Sequence, residues 1–178
     1  MSSTELLVVE VQLLNQRFSS GFICVALPEE NLNALEVPMM LPGLNQDPHR
    51  TAYAVTIDYK HGVYSVILCS SASYIVLTGT TTGISAHDRA LTARSLASSK
   101  TTPSDITRPG HIVPLRAAAG GTAVRRGHTE SAVDLCILSG LTKPERDGVP
   151  AGVLCELVED NEDGSMMRRD GCRAFADK

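Results

Sequence analysis

Tryptophan is absent from this 178-residue chain, and aromatic residues are scarce, with three Phe and four Tyr. So few aromatic faces leave no stacking platform for single-stranded nucleic acid. The 16 Lys and Arg are outnumbered by 20 Asp and Glu, for a net charge of -4, and they form no basic stripe, so no nucleic-acid partner is expected. A long apolar run is also missing. The stretch Val63–Gly79 holds no Asp, Glu, Lys or Arg, but serines interrupt it. It falls short of the roughly 20 apolar residues that span a bilayer, so no membrane partner is expected. The five cysteines, Cys24, Cys69, Cys136, Cys155 and Cys172, form an odd set with no Cys-x-x-Cys pair. That argues against a disulfide framework and a structural zinc site, and it fits a reducing, cytoplasmic setting. Met1-Ser-Ser-Thr-Glu-Leu-Leu7 has no basic residue ahead of its apolar ones, so no signal peptide is expected. No internal repeat or low-complexity tract is present, and the length fits one domain, residues 1–178.

What is present alternates between strand and helix patterns. Phe22–Leu27 is a compact apolar run stopped by Pro28 and reads as a buried strand. Pro28–Leu35 begins with two acids, which suit a helix N-terminus. Residues 38–50 are rich in Pro, Gly, Asn and Asp and read as loop, and Thr51–Asp58 as a strand. Ser85–Ser98 reads as a helix with Ser85 as N-cap, Asp88 in a capping-box position, and Ala90, Ala93, Leu96 and Ala97 on one face. After a loop over residues 101–110, His111–Ala117 reads as a strand. Glu130–Ser139 is the clearest helix, with Val133, Cys136 and Ile137 as its buried stripe and Gly140 as its C-terminal cap. Ala151–Val158 reads as a strand. The expected class is α+β, with α/β layering: a mixed sheet with helices on both faces, a three-layer sandwich.

The densest chemistry lies in Arg108-Pro-Gly-His111, Arg116, Gly120-Gly121 and Arg125-Arg-Gly-His-Thr-Glu130. Cations, imidazoles and bare backbone in one stretch suit a small phosphorylated substrate beside a metal ion. A helix begins after Arg125–Thr129, so free N–H groups and the positive dipole end meet whatever sits there. Gly127 allows close approach, Arg125 and Arg126 supply charge, and Thr129 offers a cap or a hydroxyl. The plainer reading is a capped helix with two solvated arginines. His128 is either a metal ligand through its neutral imidazole or a structural histidine. His111 is either a proton shuttle at a sheet end or a hydrogen-bonded loop residue. Glu156, in the apolar Gly152-Val-Leu-Cys-Glu-Leu-Val158, is a general base if buried, or a strand-end residue facing water. Cys24, with no base nearby in sequence, reads as a core residue rather than a nucleophile. Glu159-Asp-Asn-Glu-Asp-Gly164 imitates a calcium loop in part, but a solvated acidic turn is the better reading.

Several of these motifs, in this order, resemble 3,4-dihydroxy-2-butanone 4-phosphate synthase of riboflavin biosynthesis, the fungal branch most of all. The resemblance rests on Ser19-Ser-Gly-Phe-Ile-Cys24, Thr51-Ala-Tyr53 and Thr80-Thr-Thr-Gly-Ile-Ser-Ala-His-Asp-Arg89. It continues through Arg108-Pro-Gly-His111, Pro114–Ala117, Gly120-Gly121, Arg125–Glu130 and Val133-Asp-Leu135, and ends with Ala151–Glu156 and Asp163–Arg168. It implies a lyase-class synthase that converts ribulose 5-phosphate to the four-carbon ketone phosphate and formate. A divalent metal, Mg²⁺ or Mn²⁺, would lower the cost of enediolate charge. By position the resemblance makes His128 a metal ligand and assigns Arg125, Arg126, Gly127, His128 and Thr129 to the substrate-phosphate segment. It makes His111 and Glu156 catalytic, places Thr51 beside the pocket, and implies a homodimer with sites at the subunit interface.

The chain departs from that pattern in three places. Met1–Gln16 holds only Glu5 and Glu10 where the family carries an acidic loop with a second metal-binding glutamate. Residues 63–79 are an insertion whose propensities suggest a β-hairpin or a bulge, and whose apolar, proline-free composition is an aggregation hazard if exposed. We read it as a candidate translated intron; mature message carrying these codons with no upstream acidic exon would refute that. The chain stops at Arg173–Lys178 where the family continues, so the sheet is expected to be incomplete, with an open edge. Two other readings remain at this point: an inactive fragment that acts only through dimerisation, and a metal-dependent phosphoester hydrolase, which lacks the clustered carboxylates of two-metal sites.

Overall fold

The structure, a computed structural model, describes residues 22–60, 80–140, 142, 148–159 and 164–177, together with the backbone path of 63–69 and 72–78. The acidic turn at 160–163 and the residues before Phe22, with the expectations placed on them, lie outside the described residues.

The central strand β1 (Ile23–Leu27) is buried along its whole length. It is followed by helix α1 (Glu29–Ala34), β2 (Ile57–Tyr59), β3 (Val63–Cys69) and β4 (Ala72–Thr78). Then come α2 (Ala86–Leu96), β5 (Ile106–Arg116), α3 (His128–Leu138), β6 (Gly152–Cys155) and α4 (Arg169–Ala176). The main sheet has the order β2-β5-β1-β6. It is mixed: β1 runs parallel to β5 and antiparallel to β6, and β2 is antiparallel to β5.

Pleat alternation divides β1 between two faces. Ile23, Val25 and Leu27 point to one face, where they pack with Ile112, Leu32 of α1, and Ala93 and Leu96 of α2. Ala26 points to the other, where Ala117 and Val133 of α3 cover it. Helices therefore lie on both faces, and the α+β three-layer expectation holds.

Several boundaries differ from the sequence reading. The expected strand over Thr51–Asp58 is broken: Tyr53 and Ala54 form isolated bridges to Leu115 and Met39, and only Ile57–Tyr59 pairs regularly. Pro114 explains part of this, because it accepts from the Ala54 N–H but has no N–H to return. β5 begins at Ile106, not His111, because β2 recruits Ile106 and Thr107 after a register shift. β6 is shorter than expected, ending at Cys155, with a separate bridge from Val158 to Met166. Helix α3 starts two residues early, at His128, with Gly127 as its extended N-cap. Thr129 is therefore inside the first turn and does not cap it. Ile137 is 51% exposed, so the expected buried stripe of α3 reduces to Val133 with half-buried Cys136.

The insertion forms a hairpin, β3 with β4, in unbroken register from Val63–Thr78 to Cys69–Ala72. It forms its own two-stranded sheet. Its two ends are held together, since the Thr80 hydroxyl donates to the Tyr59 carbonyl.

Candidate active site

His111 and Glu156 lie along the open part of the second sheet face. Cys24 pairs with Val113 on one side and Leu154 on the other. Two residues further out on each neighbouring strand stand His111 and Glu156, on the same face by alternation. They flank the Phe22 end of β1, separated by two strand spacings, or about 10 Å. Helix α3 runs antiparallel to β6 over this face. Cys136 Sγ donates to Ala151 O at 3.4 Å, and a Cβ on Gly152 would fall 2.6 Å from Ala132 Cβ. The first turn of α3 then lies roughly 6 Å beyond Ala132, toward Leu154 and Glu156. His128, Arg126 and Glu156 are all exposed there, while Thr129 is buried. For Glu156 this is the solvent-facing alternative of the sequence reading.

His111 has a partner that the sequence did not reveal. Its backbone N–H donates to Asp58 Oδ1 at 2.9 Å, and its ring Nδ1 lies 2.7 Å from Asp58 Oδ2. A carboxylate only accepts, so Nδ1 carries the proton and Nε2 is left to face outward. The Asp58 side chain is 12% exposed and the His111 side chain 40%, so the pair is anchored inside and open outside. Gly83 presses on it: at φ +86, a Cβ would lie 2.0 Å from Asp58 Oδ2 and 2.9 Å from His111 Nδ1. Only glycine fits there.

Asp88 sets the Gly83 turn. Its N–H donates to Ser85 Oγ at 3.0 Å, the expected N-cap. Its carboxylate, however, does not return to Ser85. Instead Asp88 Oδ2 accepts from the Thr81 N–H and hydroxyl and the Gly83 N–H, at 3.1, 2.9 and 3.0 Å. Burial pushes its pKa up, but the Thr81 and Gly83 donors outweigh that and hold the carboxyl below its ordinary range.

Three of the four arginines have different partners. Arg108 donates to the Pro103 and Leu35 carbonyls, and Arg116 pairs with Glu29 at 2.9 Å. Arg125 pairs through Nη1 with Glu130 Oε2 at 2.6 Å and donates from Nη2 to His49 O at 3.0 Å. Thr51 donates its N–H to Asp47 Oδ2 at 2.7 Å. It borders a cavity of about 490 Å³ with Arg50, Tyr53 and Arg116. His111, His128 and Glu156 do not line that cavity.

The Cys24 thiol is pushed up to about 12, by burial first, then by the Glu156 charge and by Cys155. It stays protonated at neutral pH, which fits the core reading. Burial, then Cys24, Asp47 and Glu156, likewise raise Tyr53.

As for a metal, no three His, Cys, Asp or Glu converge among the described residues. At the start of α3 the described donors are His128 and Glu130, and both Glu130 oxygens are already bonded, to the Ala118 N–H and to Arg125. Magnesium prefers carboxylate and water oxygens, so the described donors alone do not form its site. Among the described residues, no helix is long and apolar enough to cross a membrane.

The comparisons with known proteins agree with the motifs. The family profile described as 3,4-dihydroxy-2-butanone 4-phosphate synthase matches residues 10–73 and 69–178, two pieces that meet within the hairpin. A protein of that name from Schizosaccharomyces pombe is 51% identical over 91% of this chain and 67% of its own length. One from Candida albicans is 48% identical over 99% of this chain and 74% of its own. A solved structure of such a synthase in complex with two magnesium ions superposes with a TM-score of 0.76 at 42% identity, covering 95% of this chain and 71% of that one. The chain belongs to the 3,4-dihydroxy-2-butanone 4-phosphate synthase family.

Proposed function

We propose that this chain converts D-ribulose 5-phosphate into 3,4-dihydroxy-2-butanone 4-phosphate and formate, the step its family supplies to riboflavin biosynthesis. The observation that carries this reading within the fold is the convergence of three features on one sheet face. The Asp58-held His111 and the exposed Glu156 flank β1, and the first turn of α3 points toward them. The substrate phosphate takes the Arg125–Thr129 turn, where the positive end of α3 and two guanidiniums meet an anion. Arg125, Arg126, Gly127, His128 and Thr129 serve it; Thr51 lines a separate cavity beside Arg116. His111 moves protons at Nε2, because Asp58 fixes the proton on Nδ1. Glu156 takes or returns a proton from the other side of the Phe22 row. A separation of about 10 Å leaves room for a five-carbon sugar between the two groups.

A divalent ion, Mg²⁺ or Mn²⁺, would supply charge stabilisation at the sugar oxygens when bound. His128 is the described residue that would hold it, and no step above depends on its placement. We also propose a homodimer. Leu135, Ile137 and Leu138 are 65%, 51% and 81% exposed on α3, an apolar surface of the kind that marks association. Such an enzyme works in the cytoplasm, where its substrate and a reducing environment coincide.

The test is formate release from ribulose 5-phosphate with Mg²⁺, with mass measured by sedimentation in the same buffer. Stoichiometric formate from a dimer is expected. A folded dimer that yields no formate favours an inactive fragment, and release of inorganic phosphate favours a hydrolase.

A further inference from the structure

Glu130 is 1% exposed, yet it is ionisable and lies two residues after His128 in the phosphate-binding turn. Its two oxygens have separate partners. Oε1 accepts from the Ala118 N–H at 2.9 Å, at the end of the strand that carries His111. Oε2 accepts from Arg125 Nη1 at 2.6 Å, a charge-assisted bond. Gly127 completes the packing: a Cβ there would lie 2.3 Å from Arg125 Nη1 and 2.6 Å from Glu130 Oε2. A side chain at this position would have to push the ion pair aside.

We propose that Glu130 is a positioning residue for phosphate recognition, acting through Arg125; this rests on the synthase reading above. A guanidinium has five N–H donors in a fixed fork. Arg125 commits one from Nη1 to Glu130 and one from Nη2 to the His49 carbonyl. Nε and the second N–H of each terminal nitrogen are left for an anion. With the fork held at both tips, Arg125 meets the phosphate already oriented, and no side-chain freedom is lost on binding. Glu130 also balances the guanidinium charge in the free protein.

A carboxylate one turn later serves as the control. Asp134 accepts from the Thr122 N–H and hydroxyl at 2.9 and 2.6 Å, so it pins Thr122, beside the Gly120-Gly121 turn. These hydrogen bonds hold its carboxyl below the ordinary range. Its recorded bonds go to Thr122 and none to Arg125.

The experiment uses the full chain and inorganic phosphate, with binding measured by calorimetry, alongside melting temperature and steady-state formate release. Glu130→Gln should weaken phosphate binding and raise KM by about tenfold or more, the usual cost of losing a supporting partner, while kcat changes far less. In an Arg125→Ala background, Glu130→Gln should weaken phosphate no further, because the two act as one unit. Asp134→Asn should lower the melting temperature with phosphate affinity unchanged. The proposal is overturned if Glu130→Gln and Asp134→Asn shift phosphate affinity alike, if the two Glu130 and Arg125 effects simply add, or if only kcat falls. Should Glu130→Gln not fold, Glu130→Asp withdraws the carboxylate by one methylene; weaker phosphate binding supports the role and unchanged binding refutes it. A wild type that neither binds phosphate nor yields formate sinks the synthase reading instead. One that does both, with Glu130→Gln binding phosphate normally, sinks only the positioning role.

Discussion

The Asp58–His111 pair shows how much of a catalytic group is decided by residues far from it. Histidine alone titrates near neutrality, but it does not choose which nitrogen holds the proton. Asp58 makes that choice, with both oxygens on His111 and 53 positions away in the chain. Asp58→Asn keeps the shape but can place an N–H against Nδ1 and favour the wrong tautomer. We expect formate turnover to fall by roughly 100-fold or more, the range for a lost proton-transfer group, with little change in phosphate binding. Turnover within a few-fold of wild type would remove Asp58 from the mechanism. His111 was legible as a titratable residue after Pro-Gly, and His128 as one at a helix start. Asp58 was not, because it closes an apolar strand and nothing local distinguishes it from a solvated strand end. Thr129 was read as a cap or a hydroxyl donor; the cap alternative fails because the helix already begins at His128, with Gly127 as its N-cap.

At the level of elements, β1 was readable from its apolar run and α2 from its Ser85 cap and its buried Ala90, Ala93 and Leu96. The segments that drifted are those where proline or a register shift breaks the ladder, as at Tyr53–Asp58 beside Pro114. Ile137 was placed in the core on period alone, but the face it occupies is exposed. The hairpin was anticipated from propensity, one of two alternatives. Its placement was not: the chain leaves at Tyr59 and returns at Thr80, two residues in hydrogen-bond contact. Tyr59 is further held by its N–H donating to Thr92 Oγ1 at 2.9 Å. An insertion that departs and returns at one point costs the fold little. Deleting residues 61–79, so that Lys60 joins Thr80, should leave melting temperature and turnover close to those of the full chain. A variant that fails to fold, or that folds without activity, would show that the hairpin shapes the Gly83 turn.

Across the whole molecule, one mixed sheet separates two kinds of packing. One face is closed by α1 and α2 and holds most of the core. The other is closed only in part by α3, and the residues left open there are the ones that can do chemistry. That division follows from β1, whose alternate residues belong to different layers. The layer arrangement was therefore legible in sequence, whereas the convergence of His111, Glu156 and the α3 turn required the register of three strands. The most direct measurement is formate release from ribulose 5-phosphate by wild type beside His111→Ala, His128→Ala and Glu156→Ala, each checked for folding and dimer mass. The account predicts turnover by wild type and its loss in all three variants. Full turnover in any folded variant would contradict the role given to that residue, and full turnover in all three would place the chemistry elsewhere on the molecule.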